Sequence, residues 1–144
     1  MSKISLIQGA VHEDPRGRLS FFNTFDLSEV QRMYQIEPAN EQIIRAWQGH
    51  KVEKKWFYCV QGSFIINIVK VTNFEHPSTD VIINQNIISA HTPNVLYVEG
   101  GYASGIKATS PNSKVLVFSN LSVEASKNDD YRFKADFWKA NWEI

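Results

Sequence analysis

Cysteine is all but missing: Cys59 stands alone, so no intrachain disulfide can staple the chain. Its setting between Phe57, Tyr58 and Val60 is that of a buried structural thiol rather than a nucleophile. Excess charge of either sign is missing too, because Lys plus Arg and Asp plus Glu each number 15. That removes the electrostatic argument for a nucleic-acid or anionic-membrane partner, and any anion must be held by a local cluster. No run of about eighteen apolar residues occurs, and the apolar stretch within MSKISLIQGA is too short for a signal sequence, so a cytoplasmic protein is expected. There is no repeat, low-complexity segment or linker. What remains is a chain of 144 residues, 43% hydrophobic and 21% charged, the size and make-up of one domain spanning 1–144 with a real core.

Short apolar segments separated by turn residues fill most of the chain. Strands are expected at 3–8, 19–25, 33–36, 42–49, 55–61, 63–72, 81–83, 86–90, 95–98, 103–108 and 114–119. Turns are expected at 12–18, HEDPRGR, with Pro15 and Gly17, and around Pro38 and Asn40, Gly62, and Gly100 with Gly101. Residues 26–30 read as one helical turn capped by Asp26 or Ser28. Many short strands at near-regular spacing indicate an all-β barrel or sandwich. Only the tail is different: Tyr131, Ala135, Trp138 and Trp142 recur at helical spacing, which predicts a short C-terminal helix over 129–142.

The polar side chains concentrate in one place. Residues 43–63, IIRAWQGHKVEKKWFYCVQGS, join two apolar runs and hold Arg45, Gln48, His50, Lys51, Glu53, Lys54 and Lys55. On a strand, Gln48 and His50 share a face and Arg45 lies opposite, so Arg45 needs a bulge to join them. Lys51, Glu53 and Lys54 read as a solvated hairpin tip. Trp47, Trp56 and Tyr58 suit packing better than stacking on a ligand.

At this point a family pattern is visible. Asp14, Arg16, Gly17 and Leu19, then Arg32-Met33-Tyr34, then residues 45–63 resemble the cupin-fold enzymes that remodel dTDP-4-keto-6-deoxyhexoses, namely the 3,5-epimerases and the 3,4-ketoisomerases. The register RAWQGHKVEKKWFYCVQGS is similar to the ketoisomerase motif RGxHAHKxxxQxxxCVxGS at Arg45, His50, Lys51, Cys59, Val60, Gly62 and Ser63. VEGGYASGI resembles the epimerase segment PxGxAHGF, and DDYRFKADF a closing ketoisomerase element. The resemblance spans about 14–137. It implies a double-stranded β-helix (cupin, jelly-roll barrel), a homodimer and a sugar-nucleotide ligand.

The departures define the chemistry. Gln48 stands where both branches have a histidine, and a neutral amide cannot take up a proton near neutral pH. Ser104 replaces a second histidine. Lys55 occupies the place of the epimerase lysine near the substrate ketone, where a cation stabilises an enolate. The resemblance therefore implies His50 as the group that moves a proton, Lys55 as the oxyanion holder, and Tyr34 or Tyr102 as an acid. Arg16, Arg45 and Arg32 are candidates for the diphosphate, with bidentate guanidinium geometry suited to phosphate oxygens, and Ser104 for substrate contact. The four positions at which metal-binding cupins carry ligands are Gln48, His50, Lys55 and Ser104, a donor set that will not hold a divalent ion, so neither metal nor other cofactor is expected. His12, His76 and His91 read as loop residues. The expected function is metal-independent proton transfer next to a ketone; the alternative is a cupin that binds a sugar nucleotide as an accessory module without catalysis.

Overall fold

The alternation of inward apolar and outward polar residues resolves into strands along most of the chain. The structure, a computed structural model, describes residues 4–144; Lys3, expected to begin the first strand, lies outside them. In chain order the elements are β1 (Ile4–Gln8), β2 (Ala10–Asp14), β3 (Gly17–Phe21), β4 (Arg32–Ile36), β5 (Ile44–His50), β6 (Lys55–Gln61), β7 (Ser63–Lys70), β8 (Ile83–Ser89), β9 (Asn94–Val98), β10 (Tyr102–Ala108), β11 (Lys114–Ser119), α1 (Val123–Lys127) and β12 (Tyr131–Arg132). Two five-stranded antiparallel sheets, ordered β1-β9-β6-β11-β4 and β12-β5-β10-β7-β8, face each other, and β2 and β3 form a separate hairpin. From β5 onward the chain crosses repeatedly from one sheet to the other. This is the expected double-stranded β-helix.

The core lies between the sheets. Phe57 and Cys59 of β6, Phe64, Ile66 and Ile68 of β7, Leu96 and Val98 of β9, Ile106 of β10, and Val115 and Val117 of β11 point inward and pack together. Burial pushes the Cys59 thiol up to about 11, which suits a packing residue and not a nucleophile. The chain passes from β6 to β7, in the facing sheet, at Gly62, whose φ of +73° excludes most side chains.

β7 is buried on both faces, because a second cluster covers the outer face of its sheet. Trp47, Val69, Val71, Ala103 and Trp138 form that cluster, with Phe133, Phe137 and Trp142 against it. The tail aromatics were expected to line a helix face. Instead, 129–142 forms β12 followed by an irregular strap across the sheet, and among the described residues the only helix is α1, just before it. The physical reason lies in the partners the sheet offers. Phe133 exchanges both backbone hydrogen bonds with Trp47, at 3.0 and 3.1 Å. Trp47 Nε1 donates to Ala135 O at 3.2 Å, and Asn67 Nδ2 donates to Asn141 O at 2.9 Å. Carbonyls that a helix would satisfy internally are bonded to the barrel.

Other expectations shift more modestly. Residues 10–14, read in part as a turn, form β2, so His12 sits in a strand rather than a loop. The two segments at 81–83 and 86–90 merge into the one strand β8, which pairs with β7 from Ile83 to Ser89. At 26–30 a single turn is present, with Ser28 N donating to Asp26 Oδ1 at 2.9 Å.

Candidate functional site

The bulge that Arg45 requires is present. Along the β5–β10 pairing, Gln48 lies opposite Ser104 and Arg45 opposite Ile106. Three steps on β5 thus match two on β10, which brings Arg45 to the same side as Gln48. The extra residue falls at Ala46 and Trp47.

That side opens into a cavity of about 660 Å³ at one end of the barrel. Its walls include Arg32, Tyr34 and Ile36 from β4, Ile44 to Gln48 from β5, Lys55 and Phe57 from β6, Ser104 and Ile106 from β10, and Arg132 and Phe133 from the tail. Among the described residues of that wall, four side chains are cationic and none is a carboxylate. The Arg45 side chain makes no hydrogen bond or ion pair to another described residue, and the residue is exposed. Arg32 and Arg132 are paired with Glu53 and Asp130, which leaves Arg45 as the uncompensated guanidinium at the wall.

Deeper in, the polar side chains form a chain. Lys55, 5% exposed, donates from Nζ to Gln48 Oε1 at 3.0 Å. Gln48 Nε2 donates to Asp130 Oδ1 at 3.2 Å, and Asp130 receives Arg132 Nε at 2.7 Å. The Arg132 hydrogen bond holds the Asp130 carboxyl below its ordinary range, with Gln48 adding to the effect. Burial, reinforced by the Arg32 and Arg132 cations and opposed by Glu53 and Asp130, pushes Lys55 down to about 8. Its Nζ lies 5.9 Å from the centroid of the Tyr34 ring. Burial raises Tyr34 to about 12, so it remains a phenol able to donate.

His50 shares the inward face with Gln48, as alternation requires, but it lies outside the cavity walls and is only 4% exposed. Its Nδ1 sits 2.6 Å from the Asp129 carbonyl oxygen. A carbonyl only accepts, so Nδ1 carries the hydrogen and Nε2 keeps its lone pair; Nε2 is buried with no partner among the described residues. Burial, aided by the Lys55 charge, lowers the His50 pKa and favours this neutral form.

Beside it Glu53 corrects the reading of a solvated hairpin tip. Its side chain is fully buried, accepting from Ser119 Oγ at 2.8 Å and Ser126 Oγ at 2.6 Å, with Arg32 at 3.6 Å and His50 at 3.5 Å. The turn bends inward because the Asp129 carboxylate accepts three backbone N–H groups, from Lys51, Val52 and Glu53, at 2.7, 2.9 and 2.8 Å. Lys51 and Lys54 do face outward, pairing with Glu75 and Glu29.

Of the candidates from sequence, the cavity brings together Tyr34, Gln48, Lys55, Arg32, Arg45 and Ser104. It does not bring in Tyr102, which lies opposite His50 in the β5–β10 pairing and packs against the main core. Nor does it include Arg16, whose side chain is 87% exposed and paired with Asp14 in the β2–β3 hairpin at 2.7 Å. Trp47 packs edge-on to Trp138, while Trp56 and Tyr58 lie against Tyr97 and Phe22 on the outer face of β6. Arg132, Asp130 and Asp129 join the site beyond the candidates from sequence; the signal for them is the DDYRF segment that carries all three.

The model of the family described as FdtA: WxcM-like, C-terminal matches residues 2–142. No curated protein sequence matches the chain. Among solved structures, the chain resembles the RmlC epimerase of Mycobacterium tuberculosis at a TM-score of 0.79 and 18% identity, over 97% of this chain and 74% of that one. The WlaRB TDP-quinovose 3,4-ketoisomerase of Campylobacter jejuni is similar at 0.70 and 19%, over 95% and 98%. A variant of the QdtA 3,4-ketoisomerase of Thermoanaerobacterium thermosaccharolyticum, solved with TDP-4-keto-6-deoxyglucose, is similar at 0.68 and 19%, over 95% and 92%.

Proposed function

The chain belongs to the FdtA/WxcM-like C-terminal family, and we propose that it is a cytoplasmic, homodimeric isomerase of deoxysugar biosynthesis that binds a dTDP-4-keto-6-deoxyhexose and moves a proton next to the ketone without a metal. The observation that carries this reading is the polarity of the cavity. Arg45, Arg32 and Arg132 supply charge for a diphosphate, while the buried end carries Lys55, Tyr34 and Gln48, groups suited to a ketone and its hydroxyl neighbours. The 4-keto sugar nucleotide seen with the ketoisomerase relative has the matching pair of features, an anionic diphosphate and a carbonyl.

In this reading Arg45 holds phosphate at the mouth and Ser104 contacts the sugar. Lys55 answers the developing negative charge on the carbonyl oxygen. Tyr34 donates from the wall, and the Nε2 lone pair of His50 receives the proton when the site rearranges around a ligand. Arg16 reaches diphosphate only if its hairpin meets a second copy of the chain, which ties its role to the dimer.

A second reading, a sugar-nucleotide binding module without catalysis, is favoured by one observation: the amide Gln48 lines the cavity while His50 does not. Incubation with dTDP-4-keto-6-deoxyglucose in deuterium oxide separates the two. Loss of the C3 and C5 proton signals in the NMR spectrum supports epimerisation, and loss at C3 with migration of the ketone supports ketoisomerisation. Binding with both signals intact supports the module, and failure to bind overturns both. Light scattering that returns the mass of one chain would remove the dimer.

A further inference from the structure

We propose that Lys55 acts as an imine-forming amine: held in the cavity wall by the neutral side chain of Gln48, its Nζ adds to the carbonyl carbon of a bound keto sugar. This rests on the reading of the cavity as a keto-sugar site, and replaces a purely electrostatic role for Lys55 with a covalent one.

The geometry is that of a lysine denied an ion partner. Lys55 is almost fully buried at the start of β6, and among the described residues no carboxylate oxygen lies within 4.0 Å of its Nζ. Its hydrogen bond is to the carbonyl end of an amide, at 3.0 Å. The charged and titratable groups around it are Arg32 and Tyr34 from β4, His50 and Glu53 from β5 and its following turn, and Asp130 and Arg132 from the tail. Asp130 is kept one side chain away, because Gln48 stands between them. Desolvation and neighbouring cations are the two devices by which proteins make a lysine nucleophilic. With burial holding it at about 8, roughly half of the side chain is neutral at a pH of about 8, against roughly one part in three hundred for an exposed lysine.

The step balances without oxidant or reductant. The lone pair of the neutral Nζ forms the C–N bond while the carbonyl π pair moves to oxygen, and the proton that the new C–N nitrogen gives up passes to that oxygen, leaving a carbinolamine. Its hydroxyl takes up a second proton from solvent and departs as water, the C–O bond breaking as nitrogen shares its pair, which leaves an iminium. A proton on the adjacent carbon then leaves to a base and its electron pair flows into the iminium, giving an enamine. Reprotonation and addition of water return the ketone and the free amine. An iminium makes the adjacent C–H far more acidic than a ketone does, which answers the loss of a histidine at position 48: a weaker base suffices.

Reductive trapping tests this directly. The protein is incubated at a pH of about 8 with dTDP-4-keto-6-deoxyglucose and sodium cyanoborohydride, then mapped by peptide mass spectrometry. The expected result is a single reduced adduct on Lys55, absent in a folded Lys55→Arg variant. Gln48→Glu, which sets a carboxylate against the ammonium, should cut trapping tenfold or more. Binding or deuterium exchange without any adduct overturns the covalent role and leaves the keto-sugar reading intact. If the nucleotide sugar does not bind, that reading fails, and a second probe still decides the amine: with glyceraldehyde 3-phosphate and cyanoborohydride, labelling of Lys55 ahead of exposed Lys51 and Lys127 supports it, and labelling of the exposed lysines alone overturns it.

Discussion

Replacing Lys55 with methionine should make the protein more stable at neutral pH. Burial moves the ammonium from an ordinary 10.5 to about 8, and at ~1.4 kcal/mol for each tenfold change in proton affinity, holding it charged in the fold costs about 3 kcal/mol. Methionine has a similar length and no charge; it forfeits the hydrogen bond to Gln48, worth about 1 kcal/mol, so the net gain should be about 2 kcal/mol. The pH dependence carries the sharper signature. Below pH 8 folded and unfolded chains both hold the proton and the penalty is complete. Between pH 8 and 10.5 the unfolded chain retains a proton that the native lysine has lost, so wild-type stability rises with pH relative to the variant. Above that window the penalty is gone and wild type keeps its hydrogen bond, so the order reverses by about 1 kcal/mol. Urea unfolding of both proteins at about pH 7 and about pH 10 measures it, and taking the difference cancels the other titrating groups. A Lys55→Met variant no more stable than wild type at pH 7, or a gap that does not change with pH, would refute the argument.

Arg45→Ala should weaken dTDP binding about tenfold, the loss of one charge-assisted phosphate contact. Because Arg45 is exposed and unpaired among the described residues, stability should move by less than about 0.5 kcal/mol; calorimetry and a thermal melt check the pair of outcomes. Trp138→Ala should cost about 3–5 kcal/mol, read as a lower urea midpoint, since the indole is 2% exposed between Trp47, Phe133 and Phe137. The same change should weaken ligand binding, because the tail it anchors carries Arg132 and Phe133 to the cavity. Asp129→Ala strips three backbone N–H groups of their acceptor, and at about 1 kcal/mol or more for each should destabilise by about 3 kcal/mol. Hydrogen exchange at Lys51, Val52 and Glu53 should quicken first.

The barrel was legible because its signal is local: β6 and β11 coincide with the expected 55–61 and 114–119, where alternation is clean and turn residues flank both ends. The tail misled for a physical reason. Trp138 and Trp142 repeat at helical spacing, yet what fixes the backbone around them is a sheet far earlier in the chain, and no local pattern reports the side-chain donors on Trp47 and Asn67 that take up the tail carbonyls. Glu53 misled likewise. An acidic residue between lysines reads as solvent-facing, and its burial depends on Ser119, Ser126 and Arg32 converging from elsewhere. For Arg45 the sequence stated the condition, a bulge, but not its presence, because a bulge is decided by the register of the partner strand.

These long-range contacts also explain what Gln48 does. Its orientation is set by its neighbours: an ammonium has only donors and a carboxylate only acceptors, so the carbonyl end must face Lys55 and the NH₂ end Asp130. An imidazole in the same place would offer both ends as well, but it would also pass a proton between them. An amide transmits the hydrogen bond and blocks the proton. It further keeps the Asp130 carboxylate off Lys55, and direct contact there would raise the lysine back toward its ordinary range. The substitution that removes the expected base is therefore the same one that leaves a buried amine without a counter-ion. Loss of proton transfer at position 48 and gain of a nucleophile at position 55 are two consequences of one side chain.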